Sequence, residues 1–151
     1  MKKIKVITDG ACIKNPGPGG WAAILRYKDH KRELAGSERS TTNNRMELTA
    51  AIRGLSALTE PCEAEVITDS EYLKKGVTDW IHRWKRNGWK SAGKEPVKNK
   101  DLWEQLDQAA GPHQVRWVWV RGHASHADNI RADKLASRAA RRQSSSPARA
   151  E

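Results

Sequence analysis

Short alternating and β-branched stretches open this chain, and a helical period appears only near its middle. Lys3-Ile4-Lys5-Val6-Ile7-Thr8 reads as a strand that stops at Asp9-Gly10 and the loop Asn15-Pro16-Gly17-Pro18-Gly19-Gly20. That loop lacks the terminal Gly-Lys-Ser/Thr of a phosphate-binding P-loop and leads into a strand, residues 21–27, so its glycines serve turn geometry. A hairpin follows, with Asp29-His30-Lys31 at the turn and residues 32–37 returning. Over residues 46–58, Leu48, Ala51, Ile52, Leu55 and Leu58 form one apolar stripe at helical spacing, behind the cap-like run Thr41-Thr42-Asn43-Asn44. Residues 64–68 make a further strand and residues 71–78 a short helix. Residues 114–121 alternate, with Val115, Trp117 and Trp119 on one face, and residues 127–142 read as a closing helix. Strands and helices interleave, which predicts an α/β fold with a mixed sheet in one domain over residues 1–142. Residues 143–151, rich in Ser, Pro and Ala, predict a disordered tail.

Charge changes the picture. The 151 residues carry 28 Lys and Arg against 18 Asp and Glu, a net charge of +10, which favours a polyanionic partner. The longest apolar runs, such as residues 21–25, fall far below the ~20 residues of a membrane span, and Met1-Lys2-Lys3 leads into a strand and not into an apolar signal core. Two cysteines, Cys12 and Cys62, are too few for a disulfide framework and fit a reducing compartment, so a cytoplasmic protein is expected.

Against this basic background, acids recur at strand ends. Val-Ile-Thr-Asp occurs at residues 6–9 and again at 66–69. If the two strands are parallel neighbours, Asp9 and Asp69 share the carboxyl edge of the sheet, where α/β folds place their sites, and such a pair of like charges asks for a cation. Either Asp alone could serve a turn or a helix cap. Glu47 lies at the edge of the apolar stripe, with a capping box to Asn44 as its competing explanation. Asp133, within the last amphipathic helix, would alone be an ordinary surface acid. Mg²⁺ takes oxygen ligands and bridges phosphates, so a few carboxylates in a protein of charge +10 suit phosphodiester chemistry.

Ile7-Thr8-Asp9-Gly10, the loop at residues 15–20, Thr41-Thr42-Asn43-Asn44-Arg45-Met46-Glu47-Leu48, Thr68-Asp69-Ser70, Trp119-Val120-Arg121-Gly122-His123 and Asp133 resemble, in this order, the bacterial type 1 ribonucleases H. The resemblance covers residues 1 to about 142. It implies the ribonuclease H fold, a mixed five-stranded sheet flanked by helices. It also implies endonucleolytic hydrolysis of the RNA strand of RNA/DNA hybrids, leaving 5′-phosphate ends, as in the removal of RNA during replication and repair. Mg²⁺ is the implied metal, with Mn²⁺ as an alternative, two ions acting with substrate bound. By the same resemblance Asp9, Glu47, Asp69 and Asp133 are the metal-binding carboxylates and His123 is a mobile catalytic histidine. Cys12, Asn15, Asn43, Asn44, Glu71 and Tyr72 fall on or beside positions that contact the hybrid. Two departures stand out: Ile130, where the family commonly has an acid, and Glu71, where a bacterial relative carries Gln.

His123 and His126 form a His-x-x-His pair, but no Cys pair or His-Glu-x-x-His accompanies it, so a zinc site is not expected. His30, His82, His113 and His126 read as surface residues. Residues 80–100 hold Arg83, Lys85, Arg86, Lys90, Lys94, Lys98 and Lys100 against Glu95, interleaved with Trp80, Trp84 and Trp89, which suits a nucleic-acid duplex. The alternative is a solvated helix whose indoles pack into the core, and this segment corresponds to the family's basic protrusion. Thr42 joins it on the expected DNA-strand side. Two other classes remain open on these residues: a nuclease of this fold acting on DNA, as integrases, transposases and junction resolvases do, and a duplex-binding module without catalysis. A monomer without membrane association is expected.

Overall fold

A computed structural model of the chain describes residues 1–90, 97–121 and 126–145. Its elements are β1 (Lys2–Cys12), β2 (Gly17–Tyr27), β3 (His30–Thr41), α1 (Asn43–Ser56), β4 (Cys62–Thr68) and α2 (Glu71–Lys75). A π-helical turn (Gly76–Trp80) leads on to α3 (Ile81–Arg86), α4 (Lys100–Ala110), β5 (Gln114–Trp119) and α5 (Ala127–Ser145). The five strands form one sheet in the order β3-β2-β1-β4-β5. The hairpins β1–β2 and β2–β3 are antiparallel, whereas β4 is parallel to both β1 and β5. This is the mixed α/β sheet expected from the interleaved pattern.

The apolar stripe of α1 packs on one face of the sheet. Leu48, Ala51, Ile52 and Leu55 meet Val6, Ala64 and Val66, and Trp103 and Leu106 of α4 complete that core. On the other face, Ala132 and Ala136 of α5 lie against Ile7, Ala22 and Ile24. Both helices come unusually close. A Cβ at Gly20 would sit 2.2 Å from the Ala136 carbonyl oxygen, and one at Gly10 would sit 2.6 Å from the Glu47 nitrogen.

Several boundaries differ from the sequence reading. β1 does not stop at Asp9-Gly10: β2 pairs with it from Asp9↔Ala22 to Cys12↔Gly19, and a complete ladder overrides a glycine. β2 correspondingly begins inside the glycine-rich loop. α1 begins at Asn43, because Thr42 caps it by accepting the Arg45 N–H (3.2 Å) at its Oγ1. The helix expected over residues 71–78 leaves α geometry at Gly76, whose missing side chain makes room for the Trp103 ring, which a Cβ would meet at 1.9 Å. α4 was not expected at all. The closing helix also runs further than the expected residues 127–142. α5 continues through Gln143 to Ser145, with Ser37 Oγ donating to Gln143 Oε1 (3.0 Å) from β3. His113 is more than a surface residue, since its Nδ1 accepts the Cys62 N–H (3.1 Å) at the start of β4.

Two bidentate ion pairs tie α5 to the β2–β3 hairpin: Arg26 with Asp128 (2.8 and 3.0 Å) and Arg131 with Glu33 (2.8 and 3.1 Å). Arg131, helped by Lys31, holds the Glu33 carboxyl down at about 2, and Arg26 likewise lowers that of Asp128. A folded value below the unfolded one means stability that is present above pH about 4.5 and lost as pH falls toward about 2. Glu33→Gln should therefore flatten this part of the acid-unfolding curve, as followed by circular dichroism across that range. An unchanged curve would mean that the pair is solvent-screened and contributes nothing.

Candidate active site

β1 and β4 are parallel neighbours with Ile7 opposite Ile67, so Asp9 and Asp69 stand at matching offsets beyond the last shared pair. Both lie at the carboxyl edge of the sheet. α1 brings the third acid. With no side chain at Gly10, the helix backbone approaches closely enough for the Gly10 N–H to donate to Glu47 Oε1 (3.1 Å), while the same N–H also reaches Asp9 Oδ1 (2.9 Å). One ligand atom from each of Asp9, Glu47 and Asp69 lies within 4.8 Å of the others. The capping-box explanation of Glu47 is thereby excluded: its partner is 37 positions away, and Thr42 is the cap.

Asp9 and Glu47 are buried, at 4% and 3% exposure, and Asp69 is half-buried. Glu47 Oε2 meets no hydrogen-bond donor among the described residues. Burial first, then the charges of Asp9 and Asp69, push the Glu47 carboxyl well above the usual range. Three crowded carboxylates with a donor-less oxygen form an incomplete electrostatic arrangement that a hard divalent cation would complete. Asp133 of α5 lines the same open cavity of about 420 Å³, as do Asn43, Asn44, Glu71 and Tyr72. All four expected acids therefore face one space. Ile130 is 43% exposed one turn before Asp133, so this chain has an apolar surface residue where the family commonly has a charge.

Of the expected substrate contacts, Asn43, Asn44, Glu71 and Tyr72 line this cavity. Asn15 Oδ1 accepts the Asn43 N–H (2.9 Å), joining the loop after β1 to the start of α1. The Cys12 thiol points at the carbonyl oxygens of Thr41 (3.4 Å) and Gly17 (3.5 Å), and burial pushes its pKa up, so it acts as a neutral thiol. Glu71 is exposed at the cavity mouth. Tyr72 stands between this cavity and a second one of about 470 Å³ lined by Trp80, Arg83, Trp84, Asn87, Lys90, Val97 and Lys98. Its hydroxyl accepts from Asn99 Nδ2 (3.1 Å) and Trp103 Nε1 (3.0 Å).

The packing explanation of the Trp-rich segment holds in part. Trp80, Trp84 and Trp89 stack in series, with centroids 5.8 and 6.3 Å apart, and Trp84 packs on the buried Trp103 at 5.4 Å. The indoles support the segment while edges of Trp80 and Trp84 line the second cavity. Lys85 is paired with Asp107 (3.2 Å), whereas Arg86 and Lys90 are exposed. His123, Lys94 and Glu95 lie outside the described residues.

The sequence reading missed Arg45, Asn99 and Trp119. Arg45 makes a bidentate pair with Asp101 (3.0 and 2.8 Å) and also donates to Asn99 Oδ1 (3.2 Å), tying the start of α1 to the start of α4. An Asn followed by the apolar positions Leu102, Trp103 and Leu106 was the available signal for this junction.

Comparison with known proteins agrees with this geometry. The family described as RNase H matches residues 1–141. A curated ribonuclease H from Solibacter usitatus is 64% identical over 146 residues, covering 97% of this chain and all of that one. Among solved structures, LC9-RNase H1, described as a type 1 RNase H with the type 2 active-site motif, superposes with a TM-score of 0.84 at 35% identity, covering 95% of this chain and 74% of that one. LC11-RNase H1, solved in complex with an RNA/DNA hybrid, gives 0.66 at 26% identity over 94% and 99% of the two chains. With its acids gathered at one sheet edge and its likeness running along nearly its whole length, the chain belongs to the ribonuclease H family of metal-dependent nucleases, among the bacterial type 1 members.

Proposed function

We infer that this protein is an endonuclease that hydrolyses the RNA strand of RNA/DNA hybrids, the substrate found with LC11-RNase H1. The observation that carries this reading is the carboxylate triad within 4.8 Å in a protein of net charge +10. An acidic spot on a basic molecule separates two tasks, holding a cation and holding a polyanion.

The donor set is all oxygen and contains no thiolate or imidazole among the described residues, which fits Mg²⁺, or Mn²⁺ in its place. Asp9, Glu47 and Asp69, with Asp133 from α5, would hold it. Two such ions, held there with substrate bound, would supply Lewis acidity toward an attacking water and positive charge toward a departing 3′-oxygen. Asn15, Asn43 and Asn44 hold the RNA strand through its 2′-hydroxyls, the feature that separates RNA from DNA, with Cys12, Glu71 and Tyr72 beside them. Arg86, Lys90 and Lys85 meet phosphates of the DNA strand, with Trp80, Trp84 and Trp89 against its sugars and Thr42 nearby. His123 would assist proton movement or product release. We read residues 1–142 as the working domain with residues 80–100 as its basic protrusion, acting as a monomer in the cytoplasm. Among the described residues no helix is long and apolar enough to cross a membrane.

Incubation with RNA/DNA, RNA/RNA and DNA/DNA duplexes, with and without Mg²⁺, tests the reading. Mg²⁺-dependent cutting confined to the RNA of the hybrid is expected. Cutting of DNA duplexes would place the protein with the integrases and resolvases, and binding without cutting would make it a recognition module.

The exposed cations act on binding. Replacing Lys85, Arg86 and Lys90 together by Ala should raise KM and leave kcat at saturating hybrid nearly unchanged. The salt slope of binding should fall by about 0.7 to 0.9 for each phosphate that is no longer neutralised. Because Lys85 is already paired with Asp107, most of the change should come from Arg86 and Lys90. A salt slope that does not move would reduce the cluster to a solvated surface.

A further inference from the structure

Asp9 and Asp69 look equivalent in sequence but are held differently. Asp9 lies inside a ladder, opposite Ala22 of β2. Asp69 lies one residue past the end of β4, after the β1–β4 pairing has ended at Ile67 and the β4–β5 pairing at Thr68↔Trp119. Beyond that point a side chain takes over. The Trp119 indole N–H donates to the Asp69 carbonyl oxygen (3.1 Å), reaching from β5 across to the end of the neighbouring strand. The Val120 N–H donates to the Thr68 carbonyl (2.9 Å), and the Ser70 N–H to Thr68 Oγ1 (3.1 Å), so the main chain is gripped on both sides of Asp69. Ser70 Oγ then caps α2 by accepting the Leu73 N–H (3.0 Å), and Lys74 of that helix places its ammonium 4.8 Å from the centre of the Trp119 ring. The indole thus joins the end of β5, the peptide of Asp69 and the first turns of α2.

The geometry points to Trp119 as a positioning residue for Asp69: its N–H fixes the peptide that carries this carboxylate and so sets the affinity of the acidic triad for a divalent cation. The inference rests on Asp69 being a metal ligand, as argued above. A ligand carboxylate projecting from an unladdered peptide sweeps a wider arc than one in a sheet. Groups that only orient a ligand commonly change metal affinity or activity by 10- to 100-fold when removed. A half-buried indole could instead serve packing alone, with its N–H merely finding an acceptor. The two roles separate experimentally, because Phe keeps the ring and loses only the donor.

Trp119→Phe is expected to weaken Mg²⁺ binding to the substrate-free protein about 10-fold by titration calorimetry, to lower kcat by a similar factor, and to leave KM for the hybrid unchanged. Lys74→Ala, which removes the cation from the ring and keeps the N–H, should bind Mg²⁺ within twofold of the unaltered protein. In an Asp69→Asn background, Trp119→Phe should add little further loss, since both act through one ligand. In the unaltered protein the Trp119 indole N–H resonance should shift along the same Mg²⁺ titration curve as the Asp69 amide, a measurement that holds even if the Phe variant folds poorly. Unchanged Mg²⁺ affinity in Trp119→Phe, a full additive loss in the double variant, or a static indole resonance would each overturn the inference while Asp69→Asn still loses metal. Normal metal binding by Asp69→Asn would overturn both this inference and the reading of the triad beneath it.

Discussion

Asp9→Asn and Asp69→Asn are each expected to lower hybrid cleavage by roughly 10²-fold or more, the scale seen when a charge partner of the transition state is removed. Neither should unfold the protein. The three clustered acids repel one another, and the Asp9 and Asp69 charges both help to hold Glu47 above its usual range. Neutralising one of them relieves that repulsion, so thermal stability without metal should stay level or rise. In Asp9→Asn the amide oxygen can still accept the Gly10 N–H, which preserves the local geometry and confines the loss to charge. Steady-state cleavage of a labelled hybrid across Mg²⁺ concentrations checks this. A variant that keeps near-full activity would remove its Asp from the site.

The contrast between these two residues and the rest shows what a linear sequence exposes. The repeated Val-Ile-Thr-Asp carried Asp9 and Asp69 into view, because a strand ending in an acid is a local pattern and the parallel β1–β4 pairing needed only one inference about topology. Glu47 was harder. Its stripe position was visible, but its burial depends on the absence of a side chain at Gly10, 37 residues earlier, and no periodicity encodes that. Asp133 had no local signal and entered through the family resemblance alone. α4 was missed because its charged residues, Asp101, Glu104 and Asp107, leave only Leu102, Trp103 and Leu106 as a buried face. That stripe is too short to stand out before Trp103 is seen filling the space over Gly76. The strand ends failed for a related reason: glycine signals at residues 10 and 17–20 predict turns locally, yet pairing with a neighbouring strand stabilises extended backbone there. Trp119 was read as one member of an alternating face, and its hydrogen bond to Asp69 appears only once β4 and β5 lie side by side.

Glu47→Gln is expected to abolish hybrid cleavage to a similar or greater degree while making the metal-free protein more stable near neutral pH. The two effects share one cause. Glu47 is almost fully buried, Oε2 meets no donor among the described residues, and Asp9 and Asp69 lie beside it, so its ionised form is disfavoured in the folded state. Because the folded pKa lies above the unfolded value, the native state binds the proton more tightly. The contribution to stability is complete below the unfolded value, about 4.5, and is lost as pH rises through the raised folded value. This runs opposite to Glu33, Asp101 and Asp128, whose lowered carboxyls weaken the fold on acidification. Comparing Glu47→Gln with the unaltered protein in excess chelator isolates the buried carboxylate, since the surface pairs are common to both. The Gln variant should melt higher near neutral pH, by roughly 2 to 4 °C for each kcal/mol of strain relieved in a chain of this size, with the gap closing toward acid. Saturating Mg²⁺ should reverse the order, because a cation bound to the native state stabilises the unaltered protein by mass action and finds a poorer site in the variant. A Gln variant less stable than the unaltered protein in chelator near neutral pH would mean that Glu47 is a satisfied structural carboxyl, and the cation would then have to be held by the remaining acids.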